Sequence, residues 1–187
     1  MKLKKFNAVI ALLSSIALLV HIGYSSFAYL TMYYNPDMKT LTAAPFIICT
    51  MIHAVCGMCI VFLQNDGTNL NLYKEQNKRT IIRRISAALI FPLLIVNLKT
   101  FELLKTLSSE GKWVPFILLI ILQILFYADV LVHTALSFSK ALITLGIIKD
   151  RNKLKILDKM VLFICAAAFL FASFAVVKGQ LTMFLPK

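Results

Sequence analysis

The sequence predicts an all-α integral membrane bundle of five transmembrane helices with a cytoplasmic N-terminus. Three observations carry that prediction. Hydrophobic residues make up 60 % of the 187 residues and charged residues only 15 %, against about 45–50 % and about 25 % in soluble globular chains. Mean hydropathy is +0.84, too little polar surface to clothe a soluble enzyme, a disulfide miniprotein or a disordered tail. Apolar runs of about 20 residues, the length that crosses a bilayer, recur five times.

The predicted spans cover residues 6–30, 43–64, 84–104, 115–147 and 156–178 and form a single transmembrane domain over 1–187. The fourth is longer than a bilayer needs and is expected to tilt or to protrude into the cytoplasm. Polar, turn-forming residues separate the spans: Asn35-Pro36-Asp37, Asn65-Asp66-Gly67, Ser108-Ser109-Glu110-Gly111 and Lys149-Asp150-Arg151-Asn152. Lys2–Lys5 followed by an apolar run would also suit a signal peptide cut near Ala28. The run is longer than such a peptide requires, so a retained span is expected.

Net charge is +12. In a soluble protein that excess would suggest nucleic acid. Here the positive-inside rule accounts for it, and no nucleic acid partner is expected. Fourteen Lys and Arg fall on the side that holds Lys2–Lys5, the segment 74–84 and the segment 140–159, against six towards the other face. The N-terminus is thereby expected in the cytoplasm and the C-terminus outside. Cys49, Cys56, Cys59 and Cys165 all lie in apolar stretches. Cys56-Gly-Met-Cys59 has redox-like spacing but no second ligand pair, so all four are expected to be small packing residues.

The three histidines all fall inside predicted spans, where ionisable side chains are costly and tend to mark function. His21 lies fifteen residues and His133 fourteen from the cytoplasmic ends of their spans, about 21–22 Å at 1.5 Å per residue. His53 lies eleven residues in, about 17 Å. Two imidazoles at matched depth on different helices suit a six-coordinate haem iron; interhelical hydrogen bonding is the alternative. Asp129, four residues before His133 on one helix face, is placed either to orient that imidazole or to pair with Lys99 or Lys105. Lys99 and Glu102 are expected to pair with each other.

The order of motifs resembles the five-helix, single-polypeptide cytochrome b anchor subunits of succinate dehydrogenase and fumarate reductase. Arg83-Arg84-Ile85-Ser86 looks like the Arg-x-Ser opening of the family's third helix. His133 followed thirteen residues later by Leu145-Gly146 is similar to its haem-histidine helix. The resemblance extends over essentially the whole chain. In that family the haem ligands lie on helices one and four and on helices two and five. Helix five here has no histidine, the depth opposite His53 falling near Ala166–Ala168; Ser137 and Asn97 stand at a family Gly and a family His position.

The resemblance implies one haem b held by His21 and His133, with His53 spare or near the haem edge. It also implies a quinone near the start of helix three, with Arg84 and Ser86 as donors, and flavoprotein and iron–sulfur partner subunits on the cytoplasmic face. The chain itself, without a nucleotide-binding or cluster-binding motif, is then a non-catalytic electron-transfer subunit in a bacterial inner or plasma membrane. The alternatives are a small membrane transporter or substrate-binding subunit, with Pro92 the one central helix interruption, and a haem-free membrane scaffold.

Overall fold

A computed structural model describes residues 2–63 and 74–185, with side chains from 2–63 and 78–185. These residues form five helices and no strand: α1 (Lys2–Thr31), α2 (Pro36–Phe62), α3 (Lys74–Ser109), α4 (Trp113–Leu145) and α5 (Arg151–Phe184). At 27 to 36 residues each, they run about 40–54 Å, longer than the hydrocarbon core. Phe62 and Phe163 are about three-quarters exposed; in water so many bare large apolar side chains would aggregate, whereas a bilayer solvates them. The protein is a multi-pass membrane protein.

Local chemistry explains where the helices start and stop, and why several extend beyond the predicted spans. Asn35 accepts the backbone N–H groups of Asp37 and Met38 and Pro36 opens the first turn, so Asn-Pro-Asp starts a helix rather than forming a loop. Asp150 likewise accepts the N–H of Asn152 at the start of α5. The basic segment expected as a loop at 74–84 is already helical. Its charges forbid it lipid but not helix, and α3 therefore projects beyond its apolar part. Gly146 takes φ +78° and caps α4, with its own N–H and that of Ile147 closing on Ile143 and Leu142; only glycine adopts that backbone without strain. Asn65-Asp66-Gly67 lies outside the described residues.

Helix α4 is the centre. It packs against α1, α3 and α5 and carries the largest set of buried side chains, among them Phe116, Phe126, Tyr127, Val130 and Leu131. Helix α2 packs chiefly on α1, antiparallel to it. Three polar contacts cross that seam: Asn7 with His53, Ser14 with Thr50 at 2.8 Å, and His21 with Thr42. Asn7, Ser14 and His21 are spaced by sevens, so they line one face of α1. Gly179 of α5 faces Tyr29 of α1 so closely that an added Cβ would lie 2.7 Å from the Tyr29 Cβ. That approach brings Gln180, wholly buried, against Tyr29 and Gln123, and Gln123 in turn donates to Tyr127, a chain of amides and phenols.

The candidate site at the crossing of α2, α3 and α4

His133 of α4 lies against the opening of α3. Its Nδ1 is 3.1 Å from the Arg83 carbonyl oxygen and 3.0 Å from the Ser86 hydroxyl. A carbonyl oxygen only accepts, so Nδ1 carries the hydrogen. The Ser86 hydroxyl spends its own hydrogen on the Arg83 carbonyl at 2.9 Å and therefore presents a lone pair to His133. The sequence places Ser86 three residues after Arg83 on one helix face, which is what lets a serine fold back onto its own backbone and close this small triangle.

His53 of α2 has its Nδ1 2.8 Å from the Asn7 side-chain oxygen on α1. The same reasoning puts the hydrogen on Nδ1. The His53 and His133 rings then meet edge to face, with centroids 6.2 Å apart and planes at 67°. Each ring is half-buried, each has Nδ1–H committed to a carbonyl-type oxygen, and neither Nε2 has a hydrogen-bond partner among the described residues. Two imidazoles thus stand together with neither Nε2 in a hydrogen bond among the described residues, and in the neutral form each Nε2 carries a free lone pair. Neutral imidazole in that tautomer, fixed by a hydrogen bond through the other nitrogen, is the form that ligates metals.

His21 is not part of this pair. Its Nδ1 donates to the Thr42 hydroxyl at 3.2 Å, and its ring stacks on Phe46 with centroids 6.2 Å apart and planes at 11°. Thr42 uses its own hydrogen on the backbone oxygens of Met38 and Lys39. Thr42 and His53 are eleven residues apart on α2, about 16 Å or three turns, so His21 is displaced by that much from the His53–His133 crossing. The matched depth read from the sequence assumed that α1 enters the membrane at Phe6 and α4 leaves it at Ile147. In the fold α1 starts at Lys2 and α4 ends at Leu145, and the histidine at the level of His133 is His53.

Asp129 does not orient His133, whose Nδ1 is already held by α3; nor does it pair with Lys99, which bonds Glu102 at 3.2 Å as the i, i+3 spacing predicts. Its Oδ2 is buried without a partner among the described residues. Arg84 and Ser86 lie two residues apart and so point to different sides of α3. Ser86 is buried against His133, and the two do not form a joint grip on one headgroup. The cysteines are all free, with Cys56 and Cys165 buried as packing residues.

Asn7 is the residue that sequence reasoning missed. The signal was present, since Asn7, Ser14 and His21 recur every seven residues in an otherwise apolar run, but spacing alone does not say which helix the stripe faces. Among the described residues no group of three or more His, Cys, Asp or Glu converges, so any metal here would need further ligands from its own cofactor. Comparison of the chain with protein-family models, with curated proteins and with solved structures yields no match.

Proposed function

We propose that the chain is a membrane-anchor, cytochrome b-like subunit of a succinate dehydrogenase/fumarate reductase-type complex, passing electrons between cytoplasmic flavin and iron–sulfur subunits and a membrane quinone, with one haem b between His53 and His133. The observation that carries this reading is that two imidazoles from different helices are neighbours and each has its Nδ1–H held, leaving Nε2 unbonded among the described residues. Two imidazoles whose Nδ1 atoms are held and whose Nε2 atoms stay unbonded among the described residues are the donor type that haem iron takes from a protein, and a porphyrin would supply the further ligands that the chain does not.

Bound haem would supply one-electron iron chemistry. The chain's own residues do the positioning. Asn7 and the Arg83 carbonyl hold the Nδ1 side of each ring, which leaves Nε2 as the nitrogen that would ligate a metal, and Ser86 holds the α3 end of that arrangement. The motif order from Arg83 to Gly146 supports the family assignment, with the pairing moved from helices one and four to helices two and four. In this reading Arg84, at the same end of α3, is the candidate donor to a quinone oxygen. The excess of cationic residues at that end, 14 against 6, supports a cytoplasmic N-terminus and an acidic partner surface, and a bacterial cell membrane is part of the proposed family reading.

The visible spectrum of the purified protein tests the haem. A low-spin spectrum with sharp reduced α and β bands and stoichiometric iron is expected; a colourless, iron-free protein overturns it. Orientation is tested separately by thiol labelling in a cysteine-free background: Ser109→Cys should label from outside the cell and Asn152→Cys should not. One observation favours a second reading, a haem-free scaffold: each histidine already bonds a neighbouring helix. The iron-free outcome selects it.

A further inference from the structure

The entry to α5 carries five cations within eleven residues, Lys149, Arg151, Lys153, Lys155 and Lys159, all of them exposed. In that stretch only Asp150 and Asp158 oppose them. Asp150 caps the helix through the N–H of Asn152. Asp158 is taken up within the bundle: Arg79 of α3 grips it with two nitrogens at 2.8 and 3.0 Å, and Ser139 of α4 donates to it. None of the five cations has a hydrogen-bond or ion partner among the described residues.

Arg151, Lys155 and Lys159 recur every fourth residue and so form one ridge along the helix. The ridge rises about 6 Å per step and about 12 Å in all. At its far end Lys159 stands among Ile156, Met160, Leu162 and Phe163, each more than half exposed. Bare apolar side chains of that size are solvated by acyl chains. The Lys159 ammonium therefore starts at lipid depth and reaches the headgroups by extending its own methylene stem.

That depth selects the partner. A water-soluble acidic protein meets Arg151 and Lys153 but has to displace lipid to reach Lys159. A phosphate carried on acyl chains reaches it from within the bilayer, with those chains laid along Leu162 and Phe163. Choline headgroups bring a cation of their own, which the ridge repels, whereas a net-anionic headgroup brings none.

We infer that the ridge of Arg151, Lys155 and Lys159 binds the headgroup of an anionic phospholipid, its phosphate lying between Lys155 and Lys159. The site is independent of haem, and the electron-transfer reading can fail while this one holds.

The test uses the full chain in phosphatidylcholine nanodiscs that contain a trace of phosphatidylglycerol or phosphatidylcholine spin-labelled on the acyl chain, and reads by EPR the fraction of each label that the protein immobilises. Phosphatidylglycerol should associate in preference to phosphatidylcholine. Lys155→Gln and Lys159→Gln should each weaken its association about fivefold, the effect of one cation at a membrane surface, and Lys155→Arg and Lys159→Arg should keep it. Removing as many exposed cations from α1, with Lys2→Gln and Lys5→Gln together, should leave the preference in place. Equal association of the two lipids with the unaltered chain overturns the proposal whether or not the variants fold. Equal losses in the α1 and α5 double variants also overturn it, because the attraction then belongs to the diffuse field of the whole end. Poly-glutamate or inorganic phosphate that binds in pure phosphatidylcholine discs and is lost in the α5 double variant, without any preference for phosphatidylglycerol, reassigns the ridge to an acidic protein or a soluble anion and overturns it as well.

Discussion

The α1–α2 seam at His21 and the meeting of His53 of α2 with His133 of α4 use the same side chain within one apolar bundle, and they do different things with it. At His21 the ring lies flat on Phe46 and its Nδ1 meets a threonine hydroxyl. That is a packing contact with one hydrogen bond, of the kind that holds membrane helices together. At the other crossing two imidazoles meet each other, and a backbone carbonyl and an amide oxygen force both into one tautomer. Pairing two lone-pair donors contributes little to helix association by itself, because neither can donate to the other. A histidine at membrane depth is therefore informative through its partners rather than through its depth.

The comparison breaks most visibly if the wrong histidine matters. Under the electron-transfer reading, His53→Ala or His133→Ala should each abolish the low-spin spectrum and the bound iron, since one axial ligand is gone, while His21→Ala keeps both. Loss of the spectrum in His21→Ala with retention in His53→Ala would return the pairing to helices one and four.

A second substitution sharpens it. Asn7→Leu removes the one partner of the His53 Nδ1 and should lower haem occupancy about 10–100-fold, as loss of an orienting hydrogen bond does. Ser86→Ala should cost less, because the Arg83 carbonyl still holds His133. Haem titration of the two purified variants orders them; a larger loss in Ser86→Ala would show that the hydroxyl, not the carbonyl, sets the tautomer.

At the far end of the bundle the polar groups are amides and phenols that mostly serve one another, so disturbance there should be read in stability alone. Gly179→Ala drives a methyl group against the Tyr29 Cβ and backbone, neither of which can swing away. It should destabilise by about 1–3 kcal/mol, measured as a lowered unfolding midpoint in detergent, with no change in the spectrum of the folded fraction. The smallest effect is expected of His21→Ala itself, about 0.6 kcal/mol for a typical interhelical hydrogen bond in lipid, by the same measurement.

Much of the architecture was legible in the residues because a bilayer imposes it. Unpaired backbone is intolerable in hydrocarbon, so each long apolar run must be a helix, and five such runs were five helices. The ends were less legible. Asn35-Pro36-Asp37 reads equally as a turn or as a helix start, and the cationic residues at 74–84 say only that this segment is outside lipid, not that it is unfolded. The same uncertainty at the ends of α1 and α4, which start and stop at Lys2 and Leu145, shifted the relative levels of His21 and His133. Asp129 shows the same limit: its spacing from His133 was right for an orienting carboxylate, yet Ser86 and Arg83, far away in sequence, had already taken the nitrogen in question.

What the sequence by itself determined was the number of helices, their membrane character and short-range devices that act within a turn or two: the Gly146 stop, the Lys99–Glu102 pair and the fold-back of Ser86 onto Arg83. All depend on backbone geometry that repeats every 3.6 residues and is the same wherever the helix lies. Which histidine meets which was decided only by the tertiary structure. Rotation and axial shift of one helix against another come from the summed packing of many side chains, including the close approach of Gly179 to Tyr29 and the seam of Asn7, Ser14 and His21 along α2. A shift of about one turn, 5.4 Å, exchanges one set of facing residues for another, and no local pattern in the chain records that choice.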